Sequence, residues 1–161
     1  MENSVLKIIY AVFLGLMVAF FVGFGIDAFF PEPIYPTAIN DLYMQAGDKA
    51  ITPELQAQIT SLENAYASEQ QVHNRIVSII VTIAAVLFLG LCLVFEKRSL
   101  VLANGIMLGG LFALVYGAAR GLGSQDSMIT FITVGVGLAA VVLIGMRRFG
   151  RTRETTGAPR D

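Results

Sequence analysis

Five ionisable residues, Asp27, His73, Arg75, Arg120 and Asp126, stand at the ends of long apolar runs, and they are the residues of this chain that could do chemistry. A carboxylate, an imidazole and two guanidiniums held at one depth can bind an anion or pass protons, and an ionisable group within a membrane span is a functional candidate. The same groups can instead form an interfacial ion-pair network that locks three helices together. The uncharged middle of every apolar run favours this second role, since water is available only at the margin. Asp27 lies four residues beyond Gly23 in a ladder of small residues, which predicts a carboxylate on a packed face with Arg75 or Arg120 as its partner.

The remaining inventory excludes much. Cys92 is the only cysteine, so an intrachain disulfide, a redox dithiol and a thiolate metal cage are impossible. His73 is the only histidine, and a haem held by two histidines needs a second. No glycine-rich phosphate loop, metal-ligand cluster or nucleophile with a base partner is present. The sequence therefore predicts a protein that is not an enzyme and carries no cofactor or metal. A net charge of -1 gives no reason to expect nucleic acid as a partner.

The elements that must position these residues are helices in lipid. A hydrophobic content of 55% with 14% charged residues is unusual for a water-soluble globule. A spanning helix needs about 20 apolar residues to cross ~30 Å of hydrocarbon, and four stretches qualify, at about 8–28, 74–95, 99–119 and 127–146. The expected fold is all-α: an integral membrane four-helix up-down bundle spanning residues 1–149, in contact with the lipid bilayer. The three residues Glu96-Lys97-Arg98 make spans two and three an antiparallel hairpin. A tail over 150–161 reads as disordered and cytoplasmic.

Positive residues resist translocation, and they are unevenly shared. Lys7, Lys97, Arg98, Arg147, Arg148, Arg151, Arg153 and Arg160 fall on one side, while Lys49, Arg75 and Arg120 fall on the other. This places both termini in the cytoplasm and the loop 31–73 outside. That loop carries Glu32, Asp41, Asp48, Glu54, Glu63 and Glu69 against Lys49 alone.

The loop opens with Pro31-Glu32-Pro33-Ile34-Tyr35-Pro36, whose prolines enforce an extended exit. A short helix is predicted over Ile39 to Ala46, ended by Gly47. Thr52-Pro53 then supplies an N-cap and a first-turn proline, and neither glycine nor proline recurs until Gly90. One helix of about 43 residues, reaching ~64 Å, is expected from Pro53 into span two. Its outer half shows an apolar stripe, Leu55, Ile59, Leu62 and Tyr66, that needs cover. Either the short helix folds back on it, or a protein partner or second copy does so, forming a homo-oligomer.

Within the membrane, small residues at four-residue spacing mark close packing. Span one has Ala11, Gly15, Ala19 and Gly23; span three has Gly105, Gly109, Ala113, Gly117 and Gly121. Ordinary intrachain packing explains such ladders, and association between copies is the alternative. Ser78, Thr82, Thr130 and Thr133 are expected to bond to their own helix carbonyls, leaving Asn104 as the candidate for a bond between helices.

The segment Phe20-Phe21-Val22-Gly23-Phe24-Gly25-Ile26-Asp27-Ala28-Phe29-Phe30-Pro31-Glu32-Pro33 resembles small four-span proteins of the bacterial inner membrane that carry no assigned function. The resemblance implies that location and transfers no site. Two roles then suit the chain: a non-catalytic accessory subunit or scaffold of a bacterial membrane assembly, or a small transporter or channel using the outer polar cluster.

Overall fold

A computed structural model describes residues 2–47 and 51–150, with side chains over 4–47 and 51–147. The helices are α1 (Glu2–Phe29), α2 (Thr37–Ala46), α3 (Pro53–Phe95), α4 (Leu100–Gly123) and α5 (Ser127–Gly150). Asp48, Lys49 and the tail beyond Gly150 lie outside the described residues. The helix α5 continues past residue 146, where the fourth span was expected to end.

Local chemistry accounts for the boundaries. The Leu55 amide donates to Thr52 Oγ1 at 3.3 Å, and Pro53 occupies the first turn, so α3 starts where its cap allows. Ser99 accepts from the Leu102 amide and starts α4. Asp126 Oδ1 accepts from the amides of Met128 at 3.0 Å and Ile129 at 3.2 Å, capping α5. Gly47, with φ 54°, turns the chain out of α2 in the left-handed region that glycine tolerates best.

Four of these helices are long and apolar enough to cross a membrane: Ser4–Phe29, Pro53–Phe95, Leu100–Gly123 and Ser127–Arg147. Large apolar side chains such as Phe21, Phe131 and Leu138 cover their outer surfaces. An exterior of that kind is compatible with lipid and not with water. The chain is a multi-pass integral membrane protein.

Packing in the bundle is uneven. The helices α3 and α4 form the expected antiparallel pair, α1 leans on α4 and only slightly on α3, and α5 lies along the α3–α4 seam. Among the described residues α1 and α5 do not meet. Thus α4 has three neighbours and α1 has essentially one.

This difference decides the fate of the two small-residue ladders. A step of four residues overshoots a helical turn by about 40°, so a period-four ladder winds around its helix. On α4 it winds from one neighbour to the next. A Cβ built on Gly105 would lie 2.7 Å from Leu14 Cδ2, and one on Gly109 would lie 2.5 Å from Val18 Cβ, both on α1. Ala113 is buried in a cluster with Val22 and Ile26 of α1 and Val77 and Val81 of α3. Gly117 then meets Thr82 and Val81 of α3, and Gly121 meets Ser78 of α3 and Thr130 of α5.

On α1 the same winding carries the ladder off its single neighbour. Gly15 is buried against Leu108, and Ala19 is half-buried. Nothing lies within 4 Å of a Cβ built on Gly23. The expectation that Gly23 belongs to an intrachain packing seam is therefore corrected. The buried face of α1 runs instead through Gly15, Val22 and Ile26.

Outside the apolar part of the bundle, α2 folds back on α3 and makes a helical hairpin. Ile39 of α2 and Ile59 of α3 are completely buried, while Leu55, Leu62 and Tyr66 are half-buried. Tyr35 meets Tyr66 edge to face with ring centroids 5.3 Å apart. The stripe is covered from within the chain.

Candidate functional site

The polar cluster lies where the bundle meets the hairpin, and Arg120 is its centre. The last turn of α4 places its guanidinium against the α3 residue Asn74 and the chain leaving α1. Nη1 donates to Glu32 Oε1 at 2.5 Å and to Asn74 Oδ1 at 2.9 Å, and Nε donates to the Tyr116 hydroxyl at 3.1 Å. The same guanidinium stacks over the Tyr116 ring, 5.5 Å from its centroid. Asn74 Nδ2 in turn donates to the Gly123 carbonyl at 3.3 Å. A Cβ on Gly123 would lie 2.9 Å from that nitrogen.

Glu32 is the acid that the sequence reading missed. Its carboxyl is held below the ordinary carboxylate value by the hydrogen bond from Arg120, then by that group's charge, with a smaller contribution from His73. Burial opposes the shift. Pro31 and Pro33 on either side restrict the backbone that carries this carboxylate. That restriction is the one local sign of a positioned acid.

Asp27 takes no part. It is exposed, and neither a hydrogen bond nor an ion pair joins it to Arg75 or Arg120. The reason is again the winding of the ladder. Three steps of four residues turn Asp27 about 120° away from Gly15, off the face that α4 covers.

The other candidates divide into two groups. His73 is half-buried and close enough to Glu32 to influence it, so it borders the cluster. Arg75 is exposed and stands 3.8 Å from Asp126, which also caps α5. Gln71 donates to Gln125 at 3.1 Å beside them. These two centres, Arg120–Glu32–Asn74 and Arg75–Asp126, use separate acids.

Below Asn74, a polar seam descends α3 at four-residue intervals through Ser78 and Thr82. Ser78 Oγ donates to the Gly117 carbonyl at 2.8 Å and lies 3.3 Å from Thr133 Oγ1. Thr130 Oγ1 reaches the Gly121 carbonyl at 2.8 Å. Ser78 and Thr130 were expected to bond to their own helices, and both instead cross to α4, although Thr130 also meets the Asp126 carbonyl of its own helix. Glycines without side chains at 117 and 121 let a neighbouring hydroxyl touch the α4 backbone. Thr82 does follow expectation, donating to the Ser78 carbonyl at 2.7 Å.

Chemically, the arrangement can clamp helices and hold two charge pairs in place. No three His, Cys, Asp or Glu side chains converge on a metal-sized site among the described residues. Every fully buried side-chain nitrogen or oxygen among them has a hydrogen-bond partner. Neither a family model, a curated protein nor a solved structure matches this chain, so its role has to be read from its own geometry.

Proposed function

We propose that the protein is a non-catalytic accessory subunit or scaffold of a bacterial inner-membrane assembly. The α2–α3 hairpin serves as its outward docking head, and both termini lie in the cytoplasm. The orientation rests on the eight-to-three division of Lys and Arg between the two sides of the spans. The observation that supports a docking role is the head itself: its inner faces are closed by Ile39 and Ile59, while apolar side chains remain on its outside. Ile34 is 89% exposed and Met44 72%, with Tyr43, next to Met44 in sequence, exposed as well. Partner contact is thereby moved from the covered Leu55–Tyr66 stripe to the outer face of α2 and the segment before it.

A photoreactive residue at Met44 tests this in native membranes. A single stoichiometric adduct supports the role; a protein that stays monomeric, with no adduct and no co-purifying partner, removes it. The alternative, a small transporter or channel, draws on the seam of Asn74, Ser78 and Thr82 that leads inward from Arg120. Liposome flux lost in Asn74→Leu would favour that alternative over the scaffold.

A further inference from the structure

Because α1 leans on α4, it leaves an apolar groove of about 590 Å³ between itself and α3. Phe21, Ile26 and Phe30 form one wall, and Ile80, Ala84 and Leu91 belong to the other; no polar residue lines it. From Ile80 to Leu91 the α3 wall extends ~16 Å along the span. At its loop end the groove stops at Phe30, two residues before Glu32. The lining of this apolar groove therefore ends two residues from Glu32, the acid of the charge pair.

That pair is incompletely used. Arg120 spends Nε and Nη1 on Tyr116, Glu32 and Asn74, and Glu32 spends Oε1 on Arg120. Nη2 of Arg120 and Oε2 of Glu32 carry no hydrogen bond among the described residues. Arg120 is 21% and Glu32 51% exposed, so water or a headgroup can reach both. One site offers donors to an anion, and its neighbour accepts from a cation.

We propose that this groove seats one acyl chain of a zwitterionic phospholipid, with the phosphate on Arg120 and a primary ammonium on Glu32. In lipid, apolar surface alone does not select an occupant, because the competing solvent is equally apolar. Selection must come from the polar end, where the charges of the pair and of the headgroup are complementary. A primary ammonium can donate hydrogen bonds to the carboxylate, whereas a trimethylated one cannot. A second protein helix would fill the groove but leave both free edges of the pair unmatched.

The test is native mass spectrometry of the full chain, released from vesicles of equal phosphatidylethanolamine, phosphatidylcholine and phosphatidylglycerol. One retained phosphatidylethanolamine is expected, favoured about tenfold over phosphatidylcholine by its charge-assisted hydrogen bond. Gly25→Leu should abolish retention, since Gly25 lines the groove and a Cβ there meets nothing within 4 Å. Ala84→Phe fills the same space from α3, and Ile83→Phe, at an exposed position outside the lining, should change nothing. Glu32→Gln should keep a bound lipid but lose the headgroup preference. Equal retention of all three lipids, or undiminished retention in both filled variants, overturns the proposal. So does a disulfide between copies through Phe21→Cys and Leu87→Cys in native membranes, because a protein would then occupy the groove.

Discussion

Arg120 Nη1 donates to Glu32 Oε1 across 88 residues of sequence, tying the chain that leaves α1 to the last turn of α4. The two partners are unequal. Arg120 also serves Asn74 and Tyr116, while Glu32 serves Arg120 alone. Glu32→Gln is accordingly expected to cost less than about 1 kcal/mol, as for an exposed ion pair. Arg120→Gln should cost more, about 1–3 kcal/mol, because it leaves Asn74 and Tyr116 short of a donor. Unfolding of both single variants and the double variant in mixed micelles checks the order. Equal losses would show that Asn74 and Tyr116 do not depend on Arg120.

The pair should also leave a pH signature. Glu32 has its folded value lowered below the ordinary 4.5, chiefly by the Arg120 hydrogen bond, so its contribution is present above the unfolded value. It is lost as pH falls through the lower folded value. The stability difference between wild type and Glu32→Gln should therefore be constant near neutrality and shrink to nothing on acidification. A difference that instead grew in acid would contradict the assigned sign.

Two glycines at the same ladder spacing should respond oppositely. Gly109→Val forces atoms against Val18 and the Gly15 carbonyl, where a Cβ alone would lie 2.5 Å and 3.0 Å away. Overpacking of this kind costs about 1–3 kcal/mol. Gly23→Ala meets open space and should be neutral or stabilising by up to about 1 kcal/mol through helix propensity. Thermal unfolding in detergent separates them, and a destabilising Gly23→Ala would place an unseen neighbour on that face of α1.

The hairpin should fail locally. Ile59→Ala removes a completely buried side chain, at about 2–5 kcal/mol for a core position. Ile59 lies fifteen residues before Asn74, the α3 partner of Arg120, and beyond the apolar part of the span. Hydrogen exchange is expected to accelerate over Thr37–Ala46 while α4 stays protected. Uniform acceleration through α4 would mean that head and bundle unfold as one unit.

Much of the architecture was legible because single residues announce it. Thr52-Pro53 starts α3, and the absence of glycine and proline up to Gly90 predicts its unbroken length. Gly47 ends α2, and Ser99 begins α4 after a connection too short for anything but a hairpin. The site was less legible for two physical reasons. The Arg120–Glu32 bond joins residues far apart in sequence, so no local spacing could reveal it. Asp27 was drawn into the cluster by a period of four, which departs from the helical repeat and rotates away over three steps. The same winding was harmless on α4, where another helix waits at each turn. The Ser78 and Thr130 bonds to α4 were hidden because a hydroxyl reaches a neighbouring backbone only where that neighbour is glycine.

The continuous α3 makes the head and the membrane part mechanically one object. With no glycine or proline between Pro53 and Gly90, it has no built-in hinge from its tip to the last part of its span. A load applied at the head acts as torque on a strut, and the groove wall at Ile80 and Ala84 tilts through the same angle. The helix α1 meets α3 through Val22 and Ile26, which share a buried cluster with Val77 and Val81. Leverage on the head would therefore load that cluster first, and the slot between α1 and α3 would change width only as far as the cluster yields.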